Sequence, residues 1–151
     1  MKFIVTRELG RLAKWLRILG YDTVYFAQDK PSSLLIEALR DNRTILSRNR
    51  RLPKSCGIRI VLINAENVQI QIKELFEALG LKPQAHLMFS RCILCNTELA
   101  EIEKSEVKDK VPEYVFTTQD NFVTCPTCQR IYWQGTHWGR VKDTLIGIGL
   151  G

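Results

Sequence analysis

Four cysteines stand in two matched pairs, Cys92-Ile-Leu-Cys95 and Cys125-Pro-Thr-Cys128, separated by 29 residues. A C-x-x-C segment bends back so that two thiolates reach one ion, and two such segments complete a tetrahedral shell of sulfurs. That shell suits zinc as a closed structural centre, because thiolates are soft ligands and four of them leave no open position for catalysis. A redox dithiol is the weaker reading, since it needs only one pair. The insert between the pairs exceeds the ~15–20 residues usual for this pattern and reads as a β-excursion inside a zinc ribbon. Cys56 is left over and reads as a plain buried or half-buried thiol.

A second chemistry lies in the cations. The chain has 22 Lys and Arg against 16 Asp and Glu, a net charge of +6. The excess is uneven: residues 1–90 hold 15 basic and 8 acidic side chains, and residues 91–151 hold 7 and 8. Arg7, Arg11, Lys14 and Arg17 form one series, and Arg48, Arg50 and Arg51 form a second cluster. A guanidinium donates in pairs to phosphate oxygens, so the expected partner is a polyanion, nucleic acid ahead of a membrane surface. An ordinary solvated helix face is the alternative for the first series. His137 reads as a packing residue near a helix start, or as a donor on the substrate side. His86 carries no argument. Trp133 and Trp138 either fill a small ribbon core or stack on bases.

These groups need elements to position them. Phe3-Ile4-Val5 reads as a strand, and residues 7–19 as an amphipathic helix with Leu9, Leu12, Ala13, Leu16 and Leu19 inward. Thr23 to Phe26 is a second strand, and Ser32 or Ser33 caps a helix to about Asn42 with Leu35, Ala38 and Leu39 inward. Thr44 to Leu46 is a third strand, Arg50 to Ser55 a short helical turn, and Arg59 to Ile63 a fourth strand, apolar enough to be buried. Residues 67–79 form another helix that stops at Gly80. Alternation of this kind predicts an α/β fold, a parallel sheet with flanking helices and right-handed crossovers. Ligands then gather beyond the carboxyl ends of the strands, at Thr6, at the residues up to Asp29 and at Ser47 to Arg51.

The organisation predicted is a domain over 1–82, a linker over 83–91, a zinc ribbon with a C-terminal helix over 92–146 and a flexible tail over 147–151. Within the ribbon, strands are expected at Tyr114–Thr117, Phe122–Thr124 and Arg130–Trp133, with Thr136 capping the last helix. The composition, 45% hydrophobic and 25% charged, excludes a wholly disordered chain. No run approaches the ~18 apolar residues of a membrane span. The charged start is unlike a signal peptide, so a cytoplasmic location is expected.

The stretch Thr6-Arg-Glu-Leu-Gly-Arg-Leu-Ala-Lys-Trp-Leu-Arg-Ile-Leu-Gly-Tyr-Asp-Thr and the block Ile45-Leu-Ser-Arg-Asn-Arg-Arg-Leu closely resemble the two main blocks of the Mut-seven C-terminal ribonuclease domain family. Ser90-Arg-Cys-Ile-Leu-Cys-Asn, Val111-Pro-Glu-Tyr-Val and Ile131-Tyr-Trp-Gln-Gly-Thr-His-Trp are similar to its later blocks, so the resemblance runs from Lys2 to Leu145. It implies a PIN-like nuclease domain followed by a small zinc ribbon, and RNA cleavage by Mg²⁺ or Mn²⁺ held on clustered carboxylates. The chain departs from the pattern at two places, with Thr6 and Asn49 where the family has aspartates. Asp22 and Asp29 are the residual acids, with Glu8 and Glu37 within helical reach. Each substitution removes one negative charge from the shell of a cation that dehydrates reluctantly. The expectation is an RNA-binding protein of a ribonuclease family with weak or absent cleavage. The alternatives are an active Mg²⁺- or Mn²⁺-dependent ribonuclease using Asp22 and Asp29, and a non-catalytic protein-interaction module.

Overall fold

Phe3, Ile4 and Val5 are wholly buried, as a strand must be when it has neighbours on both edges and helices on both faces. The strand is β1 (Lys2–Thr6), and the computed structural model describes residues 1–54 and 57–151. It pairs in parallel with β2 (Asp22–Phe26) on one side and β3 (Thr44–Ser47) on the other. Parallel β4 (Ile60–Leu62) completes the order β2-β1-β3-β4. The expected α/β fold with a parallel sheet is therefore present.

Alternation along β1 sends Phe3 and Val5 to one face and Ile4 to the other. Phe3 and Val5 join Leu46 in a core covered by α1 (Gly10–Ile18) and α3 (Val68–Leu79). Ile4 joins Ile45 and Phe26 under α2 (Pro31–Arg40). Leu12, Ala13 and Leu16 make the buried stripe of α1, and a single 3-10 turn, Arg7–Leu9, leads into it. The α3 helix is bounded as its sequence predicts. Asn67 accepts from the N–H groups of Gln69 and Ile70, and Gly80 ends the helix in the left-handed region at φ 63°.

Local differences from the sequence reading have physical causes. Pro31 occupies the first turn of α2, so the helix starts before the serines, from Lys30. That rotates Leu34 inward beside Ala38 and leaves Leu39 59% exposed. Strand β4 is an edge, with Leu62 40% exposed, so its apolar run does not mark a buried central strand. The turn expected over 50–55 is seen only at Arg50 and Arg51, and its end at Ser55, like the reading of Cys56, lies outside the described residues.

The second module has three antiparallel strands, β5 (Ala100–Ile102), β6 (Phe122–Thr124) and β7 (Ile131–Trp133). The segment around Tyr114 is a helix, α4 (Glu113–Thr118), and not a strand. Pro112 starts it by accepting from the N–H groups of Val115 and Phe116, and Val115 then packs on Val107 and Phe122. This cluster is small, consistent with a module too slight to fold by hydrophobic burial alone. The last helix, α5 (Thr136–Gly147), returns to the first core, where Val141 and Leu145 join Phe3 and Leu12. Ile148 and Leu150 lie against the same cluster, and the Leu150 N–H donates to the Leu145 carbonyl. No helix of the described residues is long and apolar enough to cross a membrane.

Between the modules, residues 81–91 lie along α1. The Phe89 N–H donates to the Ile18 carbonyl at 2.8 Å, while Met88 and Phe89 pack on the first core. Gly20 has φ 92°, and a Cβ there would stand 2.2 Å from the Leu87 carbonyl oxygen. Backbone cannot yield as a flexible side chain can. Gly20→Ala should therefore cost about 3 kcal/mol, from left-handed strain plus this clash. Chemical denaturation of the purified variant checks it, and a cost under ~1 kcal/mol would show that the strap shifts freely.

Candidate metal centre and strand-end cleft

The two cysteine knuckles are built alike. In the first, the Cys95 N–H donates to Cys92 Sγ at 3.4 Å, and the Asn96 N–H to the Cys92 carbonyl at 2.9 Å. In the second, the Cys128 N–H donates to Cys125 Sγ at 3.5 Å, and the Gln129 N–H to the Cys125 carbonyl at 2.8 Å. Both turns close on a residue in the left-handed region, Asn96 at φ 64° and Gln129 at φ 61°. The N–H groups of Cys92 and Cys125 then pair with the carbonyls of Thr97 and Arg130. Thr97 and Thr127 join the knuckles through their hydroxyls, 2.9 Å apart.

This repetition brings the four sulfurs within 4.8 Å of one another. Cys92 and Cys128 are 3.7 Å apart. A tetrahedron with metal–sulfur bonds of ~2.3 Å has edges of about 3.8 Å, so the group fits an ion such as zinc. Burial opposes ionisation of Cys92, but the Tyr132 hydroxyl at 3.1 Å and nearby N–H groups bring its thiol down to about 6. Cys95, through its sulfur contact with Cys128 and then burial, is pushed up to about 12. Thiols crowded this closely cannot all carry charge unless a cation compensates them.

At the other chemistry, the chain passes from β1 out to β2 and then across to β3, so the strand order reverses between the ends of β1 and β3. A small cleft of about 80 Å³ lies there, lined by Thr6, Arg7, Glu8, Asp29, Lys30 and Asn49 among others. Glu8 is its organising acid. Its Oε1 accepts from the Thr6 hydroxyl at 2.6 Å, the Ser47 hydroxyl at 3.2 Å and the Arg48 N–H at 3.0 Å. Burial works against the Glu8 charge, but these donors win and hold its carboxyl below the usual range. Asn49 is engaged as well, its side-chain oxygen accepting from the Arg51 N–H at 2.9 Å. Gln28 falls in the stretch up to Asp29 that the sequence places at the strand ends, whereas Lys30 joins the cleft unannounced, because the approach to α2 carries no motif.

Asp22 is not part of this cleft. It sits at the start of β2, opposite Lys2, with about 13 Å of strand between it and the end that leads to Asp29. Its Oδ1 accepts from Arg43 at 2.7 Å and from the Asn96 amide at 2.7 Å. Asn96 also accepts from the Thr23 N–H at 2.9 Å, so the first knuckle is joined to the sheet edge. Arg17 belongs to the same junction. Its guanidinium donates to the carbonyls of Thr23 at 3.0 Å, Ile93 at 2.8 Å and Leu94 at 3.1 Å. Arg17 is therefore a strut under the first cysteine knuckle, its guanidinium engaged by backbone carbonyls.

The other cations divide by place. Arg7 is at the cleft, and Arg11 and Lys14 are exposed further along α1. Arg48 and Arg50 both point at Asn64, donating to its backbone and side-chain oxygens at 3.4 and 3.2 Å. Asn64 is itself fixed by Glu74, which accepts from its N–H and its amide. Arg51 is exposed beside them. Glu37 lies on α2, outside the cleft lining.

These features define a doubly wound α/β domain with a strand-end cleft, joined to a four-cysteine module fit to hold a metal. The chain belongs to the Mut7-C RNAse domain family, whose sequence model matches residues 1–145 of the 151. No curated protein and no solved structure matched the chain.

The Asp22 junction makes a pH prediction. Burial opposes the Asp22 charge, yet the hydrogen bonds from Arg43 and Asn96 lower its carboxyl from the ordinary value. A carboxyl lowered on folding contributes stability above its unfolded pKa, and that stability is lost as pH falls through the folded value. The contribution should be complete at neutral pH and disappear below about pH 4. Asp22→Asn should lower stability at pH 7 by about 1–2 kcal/mol and flatten the acid limb, as read by urea unfolding across pH. Equal acid limbs in parent and variant would dissociate Asp22 from the effect.

Proposed function

We propose that the chain binds RNA on the surface around its strand-end cleft and cleaves it weakly or not at all. The observation that carries this reading is the state of Glu8. In place of further acids it faces the Thr6 hydroxyl, and its charge is already answered by three neutral donors. Asp29 is the other carboxylate lining the cleft, while Arg7, Lys30 and Asn49 complete its polar rim. Glu8 is already occupied by its three donors, and Arg7 and Lys30 share the cleft with Asp29, so a divalent cation that gives up water reluctantly meets little free carboxylate there. Among the described residues, the four cysteines are the one set of three or more His, Cys, Asp or Glu grouped closely enough to hold an ion.

Loss of acid leaves cation. Arg7, Arg48, Arg50 and Arg51 stand near the end of β1 and beyond β3, with Arg11 and Lys14 exposed on α1. Such a surface takes phosphates through charge and paired donors, with binding that weakens steeply with salt. Family membership supports RNA as the polyanion. A ribonuclease built on Asp22 and Asp29 is not favoured, because Asp22 is at the opposite end of β2 and occupied by Arg43.

In this reading the four cysteines hold one structural zinc. Zinc would offset half the charge of the four thiolates and tie the two knuckles, leaving Arg17 and Asn96 to transmit that rigidity to the sheet. Elemental analysis of the purified protein should find one zinc per chain. Stripping it with a strong chelator should unfold the second module, seen as loss of the tryptophan near-UV signal. A fully folded metal-free protein would contradict the structural role.

RNA affinity should fall with rising salt. Arg50→Gln with Arg51→Gln should reduce the slope of log affinity against log salt by about two. No measurable RNA affinity at moderate salt would end the proposal. Thr6→Asp with Asn49→Asp places two more carboxylates around Glu8 and Asp29. That variant should melt lower than the parent without Mn²⁺, regain stability with it, and gain Mn²⁺-dependent cleavage. Strong cleavage by the unaltered chain would show that the missing acids are dispensable.

A further inference from the structure

A second cavity of about 750 Å³ opens between the two modules and shares no lining residue with the strand-end cleft. Its size falls in the ~300–1,000 Å³ range of small-ligand sites. The protein has three tryptophans, and all three line it: Trp15 from α1, Trp133 from β7 and Trp138 from α5. Phe89 meets the Trp138 ring edge-on at 5.2 Å, and Lys142 stands 4.8 Å over it. Trp133 is the open ring, 36% exposed. Asn121 and Gln134 add amides with both donor and acceptor capacity, and Arg91 and Arg140 are the cations of the wall. Among the described residues, no carboxylate lines the cavity. Arg91 is already engaged, with Asn96 and Glu98, whereas Arg140 makes no ion pair among the described residues.

Open aromatic rings, edge-reading amides and an unanswered cation are complementary to a flat heteroaromatic base that carries a phosphate. We propose that this groove binds one nucleotide of an unpaired RNA strand, with the base against Trp133 and the phosphate toward Arg140. The proposal rests on the RNA-binding reading above and adds where an unpaired nucleotide is seated. The α1 helix joins the two places. Arg7 precedes it at the cleft, exposed Arg11 and Lys14 lie along it, and Trp15 and Ile18 reach the groove. From Arg7 to Trp15 is about 12 Å of helix, a span of two or so nucleotides. The groove also leans on the metal centre, because Tyr132 lines it and bonds Cys92.

Since every tryptophan lies in this groove, emission of the zinc-loaded chain excited selectively at tryptophan reports on it. Titration with AMP and with a short unpaired oligoribonucleotide should quench the emission saturably, and inorganic phosphate should do so more weakly. Arg140→Gln alters an exposed side chain, so its melting midpoint should stay at the parent value while AMP affinity falls about tenfold. Trp133→Leu, followed by AMP competition against a fluorescent nucleotide, should fall similarly. The Arg50→Gln, Arg51→Gln variant should weaken RNA binding and leave AMP unchanged. RNA binding measured by anisotropy, with emission unmoved by RNA or AMP, would overturn the groove and leave the proposed function standing. AMP quenching without any RNA affinity would support a nucleotide groove and overturn its use by RNA. Equal AMP affinity in both groove variants would overturn the assignment to Trp133 and Arg140.

Discussion

The Asp22 carboxylate is gripped from two distant parts of the chain, by Arg43 just before β3 and by Asn96 in the first cysteine knuckle. Much of the architecture depends on this meeting. It sets the knuckle against the edge of the parallel sheet, and Arg17 reinforces it by donating to the knuckle's carbonyls. A charged pair that is partly buried has few tolerable arrangements, because removing any partner leaves a charge or donor without compensation. The junction is thus a positional constraint more than a source of net stability.

From that constraint the rest follows by short steps. With the first knuckle anchored, the second reaches it through the shared group of sulfurs and the Thr97–Thr127 contact. The α5 helix is then carried against the first core, where Val141 and Leu145 are buried, while Phe122 and its neighbours keep a small cluster of their own. The groove between the modules is the space left over, lined by α1 on one side and by β7 and α5 on the other. A metal held by the cysteines would stiffen one end of this chain of contacts, and its influence would reach the groove through Tyr132.

The strand-end cleft is a separate electrostatic problem. In a sheet whose strand order reverses between β1 and β3, loops separate there and leave room for a ligand. What the ligand can be depends on charge. With Thr6 and Asn49 in place, hydroxyl and amide groups satisfy Glu8 and the turn over 49–51 internally. Glu8 is therefore satisfied without a cation, and of the arginines beside the cleft Arg48 and Arg50 turn to Asn64, with Glu66 3.9 Å from Arg48.

The cysteine spacing, the helical stripe of α1 and the Asn67-to-Gly80 limits of α3 were legible in the residues, because each reflects a local rule of ligand reach, helical period or end-capping. So was the parallel sheet, from the alternation of apolar runs with helices. Local rules failed where the outcome turned on a partner far along the chain. Asp22 and Asp29 are seven positions apart in sequence, yet a strand carries them to opposite ends of the sheet. Arg17 shares its helical series with Arg11 and Lys14, but lies where the knuckle carbonyls descend on α1, and becomes a strut. Three tryptophans scattered over more than a hundred positions face one groove because the Asn96–Asp22–Arg43 junction, Arg17 and the burial of Val141 and Leu145 bring two modules together. Side-chain chemistry is written in the sequence, but whether an arginine meets solvent or a carbonyl is settled by long-range packing.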